Sequence, residues 1–182
     1  MKRIFFISDT HFHHGNILNF ITQSGEHVRP GFSNVKEMNQ YMVDQWNSVV
    51  RPSDQVYHLG DVVMKESAWA FEIMKKLNGT KVLIKGNHDT APLNRYADHF
   101  KDVRSEIMLK TGDKDRVVFS HRPIRIPEDM LIFNVHGHIH EKSLDDLRYF
   151  NISVERLGYT PIQWEDLHKK LLERKQHLLN AA

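Results

Sequence analysis

The chain of 182 residues contains no cysteine. That absence removes disulfides, thiolate metal sites and cysteine nucleophiles together. Glycine and proline are scarce, at 9 and 6 residues, which excludes collagen-like and low-complexity chains. Long apolar runs are also missing. The N-terminal stretch Ile4-Phe5-Phe6-Ile7 is far shorter than a signal-peptide core or a membrane span of about 20 residues, so a cytoplasmic protein without a membrane partner is expected. Neither sign of charge dominates: Lys+Arg number 25 against Asp+Glu 23, for a formal charge of +2. The basic footprint of a dedicated nucleic-acid binder is therefore absent. Hydrophobic residues at 40% and charged residues at 26% fit an ordinary globular chain, and the length fits one domain over 1–182. Against these absences stand 13 histidines, the side chain suited to proton transfer and metal ligation near neutral pH.

Runs of β-branched, apolar and aromatic residues predict strands at 2–8, 55–59, 81–85, 116–120, 131–135 and 151–155. Helical spacing of Met38, Met42, Trp46 and Val49, with Asn34 and Glu37 at capping-box distance, predicts a helix over 33–51. Ala68, Phe71, Met74 and Leu77 predict a second over 67–78, stopped at Gly79, and Trp164, Leu167, Leu171 and Leu172 a third over 164–179. The alternation predicts an α/β protein with helices on both sides of a sheet.

Each of the first five predicted strands runs straight into residues that can bind a metal. These are Asp9 and His11, then Gly60-Asp61, then Gly86-Asn87-His88-Asp89, then Ser120-His121, then His136-Gly137-His138-Ile139-His140. Open α/β sheets place their sites outside the carboxyl ends of strands, so five dispersed segments converge on one locality. In extended backbone, Asp9 and His11, like His138 and His140, would point to one side about 6.6 Å apart. Carboxylate, imidazole and amide oxygen without sulfur suit Mn²⁺, Fe, Ni²⁺, Co²⁺ or Zn²⁺, and exclude soft Cu(I).

In this order, D-x-H, G-D, G-N-H-D, H and G-H-x-H, the motifs resemble those of the calcineurin-like metallophosphoesterases, in the small prokaryotic or phage type. The resemblance implies a β-sandwich flanked by helices. It further implies that Asp9, His11 and His140 hold one divalent ion, that Asn87, His121 and His138 hold a second, and that Asp61 bridges them. Val62-Val63-Met64 follows Gly60-Asp61 where the Ser/Thr protein phosphatases carry D-R-G, which sets that branch aside.

The chemistry agrees. Two divalent ions against Asp9, Asp61 and a bridging hydroxide leave a surplus of about +1, which attracts phosphate and activates the hydroxide for in-line attack. His88 is read as a catalytic acid and Asp89 as the carboxylate that fixes its tautomer. Asn87, His88 and Arg122 are read as substrate contacts. Taken singly, each ligand candidate also fits a turn cap; taken together they do not. His58 reads as a packed strand residue, and His136, by alternation, as a non-ligand. His13, His14 and Asn16 read as pocket wall or surface, and Arg125 and Lys85 as solvated charges. The gaps between motifs are consumed by helices and strands, leaving no capping segment, so an open site and a phosphodiester substrate are expected, a nucleotide being one candidate. The alternatives are a nuclease or cyclic-nucleotide phosphodiesterase on the same centre, or a non-catalytic scaffold of the same fold.

Overall fold

A computed structural model describes residues 2–64, 68–111 and 115–181. Its first sheet takes the order β4-β3-β2-β1-β9 from strands β1 (Ile4–Ile7), β2 (Gln55–His58), β3 (Thr80–Ile84), β4 (Asp102–Arg104) and β9 (Ile162–Gln163). β1 to β4 are parallel and β9 runs antiparallel to β1. The second sheet, β5-β6-β7-β8, comprises β5 (Glu106–Lys110), β6 (Arg116–Ser120), β7 (Ile132–His136) and β8 (Tyr149–Asn151), with β5 antiparallel to β6 and the rest parallel. Among the described residues, a 3-10 turn at Gly15–Asn19 and five α-helices complete the order: α1 (Val35–Val49), α2 (Ala68–Phe71), which tightens into a 3-10 turn at Glu72–Lys76, α3 (Leu93–Ala97), α4 (Val154–Leu157) and α5 (Trp164–Ala181).

Two-residue alternation sorts the side chains into two cores. Phe5 and Ile7 of β1 turn toward Met38, Met42 and Trp46 of α1 and Phe71 of α2. Phe6 turns the other way and meets Val117 and Phe119 of β6, Phe133 and Val135 of β7, and Leu167 and Leu171 of α5. Its ring stacks on Phe119 with centroids 4.5 Å apart. The molecule is therefore a β-sandwich flanked by helices. A second sheet occupies one face of the first, where the alternation of elements predicts helices.

Local chemistry starts and stops the elements. Asn34 Oδ1 accepts from the backbone N–H of Lys36 and Glu37 at 3.0 Å each, and Ser33 N–H donates to Glu37, which together fix the start of α1. The strand expected over 151–155 is not formed. Asn151 Oδ1 accepts from Ser153 N (2.9 Å), a local turn that ends β8 at Asn151 and lets α4 begin at Val154. The helix expected over 67–78 begins at Ala68 among the described residues, Ser67 lying outside them.

Candidate metal centre

The ladder between β1 and β2 continues past the strand ends. Asp9 N donates to Gly60 O, His11 N to Asp61 O and Phe12 N to Val62 O, at 2.9–3.0 Å. Yet the chain here is not extended. Asp9, His11, Asp61, His138 and His140 all adopt positive φ, between 46° and 68°. Asp and His enter that region more readily than β-branched residues, though at a cost of about 1 kcal/mol or more each. This corrects the extended geometry expected for the D-x-H and H-x-H pairs. The left-handed turns send His138 and His140 to different partners. Glycines permit the close approach: a Cβ on Gly86 would collide with the Asp61 carboxylate, and one on Gly137 with Asp9 and Ser8.

Two groups of ligand atoms result, Asp9, His11 and His140 in one and Asp61, His121 and His138 in the other, the atoms of each lying within 4.8 Å of one another. Asp61 joins them. Its Oδ2 lies 3.5 Å from His11 Nε2 and 3.4 Å from His121 Nε2, while its Oδ1 accepts the backbone N–H of His88 at 2.8 Å. His121 Nδ1 donates to Leu59 O at 2.8 Å, so the opposite nitrogen, Nε2, faces the site. There it meets Asn87 Oδ1 at 2.9 Å as well as Asp61 Oδ2. Two oxygen acceptors and a ring nitrogen converging on one point require a positive centre, either a proton on the ring or a cation. In the other group, the buried atoms Asp9 Oδ1 and His11 Nδ1 and Nε2 have no hydrogen-bond partner among the described residues. Burial pushes His11 down to about 2, keeping it the neutral imidazole that ligation needs. Burial alone would raise Asp61, but the His121 hydrogen bond and charge hold it below the usual carboxylate range. The donor set fits divalent metal.

The structure adds three residues that sequence reasoning missed, Arg29, Glu155 and Ser153. Arg29, fully buried, donates from Nη2 to Asp9 O (2.6 Å), from Nη1 to Thr10 O (2.9 Å) and from Nε to Glu155 Oε1 (2.8 Å). The same Glu155 oxygen accepts from His140 Nδ1 at 3.0 Å. Burial would lift the Glu155 carboxyl, but Arg29 and His140 beside it hold it at about 2. Ser153 Oγ and His138 N both donate to Asp9 Oδ2, at 3.0 and 2.9 Å. Asp89 differs from its expected role. Its carboxylate accepts from the backbone of Asp61 and Gly86 (2.8 Å each) and of Val62 (3.0 Å), so it ties the loops after β2 and β3 together and does not hydrogen-bond the His88 ring.

His88 is exposed, its ring edge-on to His11 with centroids 5.5 Å apart, and Asn87 and Arg122 are exposed as well. His58 is packed under Trp46 and contacts Thr10 Oγ1 at 3.0 Å. His136 is buried against Tyr149 and belongs to neither ligand group. His13 is held by Asn39, and His14 stands between His11 and Phe20.

The fold and this site define a metal-dependent hydrolase of phosphoesters. The sequence model of the calcineurin-like phosphoesterases matches residues 2–180, and the chain belongs to that family. An uncharacterized protein of Methanocaldococcus jannaschii is 35% identical over 192 residues, covering 96% of this chain and 93% of that one. The crystal structure of a protein of unknown function from Aquifex aeolicus shares 26% identity at a TM-score of 0.71, over 93% of this chain and 99% of that one. Among the described residues, no helix is long and apolar enough to cross a membrane.

Proposed function

We propose that this metallophosphoesterase hydrolyses phosphodiesters at a centre of two divalent ions, Mn²⁺ by our choice from the set Mn²⁺, Fe, Ni²⁺, Co²⁺ and Zn²⁺ that its mixed imidazole and oxygen donors accommodate. One observation carries the reading: Asp61 Oδ2 stands between His11 and His121, nitrogens of two separate ligand groups, at 3.5 and 3.4 Å. Asp9, His11 and His140 would hold one ion, and Asn87, His121 and His138 the other, with Asp61 shared. Such a pair supplies an activated water and neutralises the phosphoryl oxygens.

The chain's own residues do the rest. Glu155 and Leu59 O orient His140 and His121 through their Nδ1 atoms, leaving Nε2 toward the centre. Asp89 holds the Asp61 and Asn87 loops in register through three amides. His88, exposed above His11, is positioned to protonate the departing oxygen. Arg122 and Asn87, both exposed, would contact the phosphoryl group. The exposure of Asn87, His88 and Arg122 supports a substrate bearing two substituents, since nothing among the described residues covers them. The test is hydrolysis of bis(para-nitrophenyl) phosphate and para-nitrophenyl phosphate with Mn²⁺ and with chelator. The diester should show the higher kcat/KM, and chelator should abolish both rates. A faster monoester rejects the diesterase reading; chelator-insensitive turnover rejects the metal assignment.

A further inference from the structure

A cleft of about 650 Å³ opens beside the metal centre, and His138 and His140 form part of its wall. Its opposite wall carries Phe20, Ile21 and Val28, with Phe20 49% and Ile21 53% exposed. Exposed neighbouring apolar side chains at the rim of a polar site call for a partner. The segment that presents them is held in place. Val28 N donates to Phe20 O and Thr22 N to Glu26 O, both at 2.8 Å, and His27 Nδ1 bonds Leu18 O at 2.8 Å. Arg29 follows at once, clamped to the carbonyls of Asp9 and Thr10. The Phe20 ring meets His14 edge-on at 5.5 Å, and His14 lies 5.6 Å from His11. An aromatic platform is thus tied to the metal-binding loop.

We infer that this cleft seats a flat aromatic ester group of the substrate, a nucleobase-bearing one, with Phe20 as its stacking partner. The inference rests on the phosphodiesterase reading and assigns one of the two substituents. The cleft starts at two imidazoles of the centre, so a group lying in it is joined to the phosphorus that the centre holds. Its volume lies within the range of small-molecule sites, about 300–1,000 Å³. Four apolar side chains, Phe20, Ile21, Val28 and Ile139, flanked by Thr22, Gln23 and Lys142, match a flat ring with a polar edge. Because the hairpin is already ordered, stacking incurs little ordering cost.

The experiment compares two para-nitrophenyl phosphodiesters, of thymidine and of methanol, with Mn²⁺. Both release the same leaving group, so partial inactivation divides out of the ratio of their kcat/KM values. The wild type should prefer the thymidine ester by on the order of ten-fold, as base-on-aromatic stacking gives. Phe20→Ala should bring the ratio close to unity, and Phe20→Tyr should restore it. A wild-type ratio near unity, or one that Phe20→Ala leaves in place, overturns the assignment. Should neither ester react, the proposed function fails, and ligand-observed NMR with thymidine monophosphate then decides the cleft separately. Saturation of the base protons by the wild type but not by Phe20→Ala upholds it; equal saturation, or none, removes it.

Discussion

Replacing Glu155 with alanine leaves the Arg29 guanidinium, whose side chain is 0% exposed, without its counter-charge, and removes the acceptor from His140 Nδ1. Breaking one partner out of a buried ion pair costs about 3–5 kcal/mol. Arg29 keeps two carbonyl acceptors, Asp9 O and Thr10 O, so the lower end, about 3 kcal/mol, is the better figure. For a domain of this size that corresponds to a fall in melting temperature of roughly 6–12 °C. A second effect is independent of the first. Without Glu155 the His140 ring loses its orientation, and metal affinity should fall by about 10–100-fold. The assay is circular-dichroism melting in chelator, which isolates the fold from the ion, followed by Mn²⁺ titration calorimetry at a temperature where both proteins are folded. The double variant Arg29→Met with Glu155→Leu should melt above Glu155→Ala, because it removes the stranded charge, yet bind Mn²⁺ no better. A chelated melting point within about 2 °C of the wild type, together with unchanged affinity, would refute both the ion-pair argument and the orienting role.

Asp61→Asn should lower metal occupancy more than any other single ligand change, since that carboxylate alone faces both ligand groups; two ions per chain in the dialysed variant would contradict this. His88→Asn should keep its metal while kcat falls by about 10²–10⁴-fold, the contribution of a positioned acid; loss of metal would make His88 a ligand. Asp54 accepts hydrogen bonds from Arg3 and the amide of Arg51, and the Arg3 bond above all lowers its pKa to about 2. A depressed carboxylate stabilises the fold above its ordinary pKa and ceases to as pH falls through the folded value. The melting-point gap between wild type and Asp54→Asn should therefore hold steady at neutral pH and close between about pH 4 and pH 2. A gap that does not change with pH would place the effect in packing.

The ligand candidates were readable in the sequence because each motif is contiguous and follows a strand at once, and parallel neighbours end together, β1, β2 and β3 in the first sheet and β6 and β7 in the second. What escaped depends on contacts that the chain closes over long distances. Arg29 and Glu155 lie 126 residues apart, and in sequence each is a charge of the kind that usually faces solvent. Asp89 sits next to His88 in the chain, and adjacency suggested a partnership. Its acceptors are instead used by amides up to 28 residues away. β5 passed unread because it is an edge strand with Met108 56% exposed, so its apolar residues do not alternate with burial. Nor does a list of strands distinguish one sheet from two: β6 and β7 are as apolar as β1 and β3, and only the stacking of Phe6 on Phe119 places them opposite.

Among the described residues, six of the seven non-glycine residues at positive φ, His13 included, fall in or beside the metal site; Tyr159 is the other. In each, glycine would relieve backbone strain. A screen that rewards thermal endurance and ignores turnover is therefore drawn to glycine in these turns, at His11 above all, whose buried ring nitrogens have no hydrogen bond to lose. Each such gain would delete a proposed ligand. Stability and activity are thus opposed here residue by residue, within the same turns. Of these positions His13, outside both ligand groups, is where such a screen can succeed without dismantling the centre.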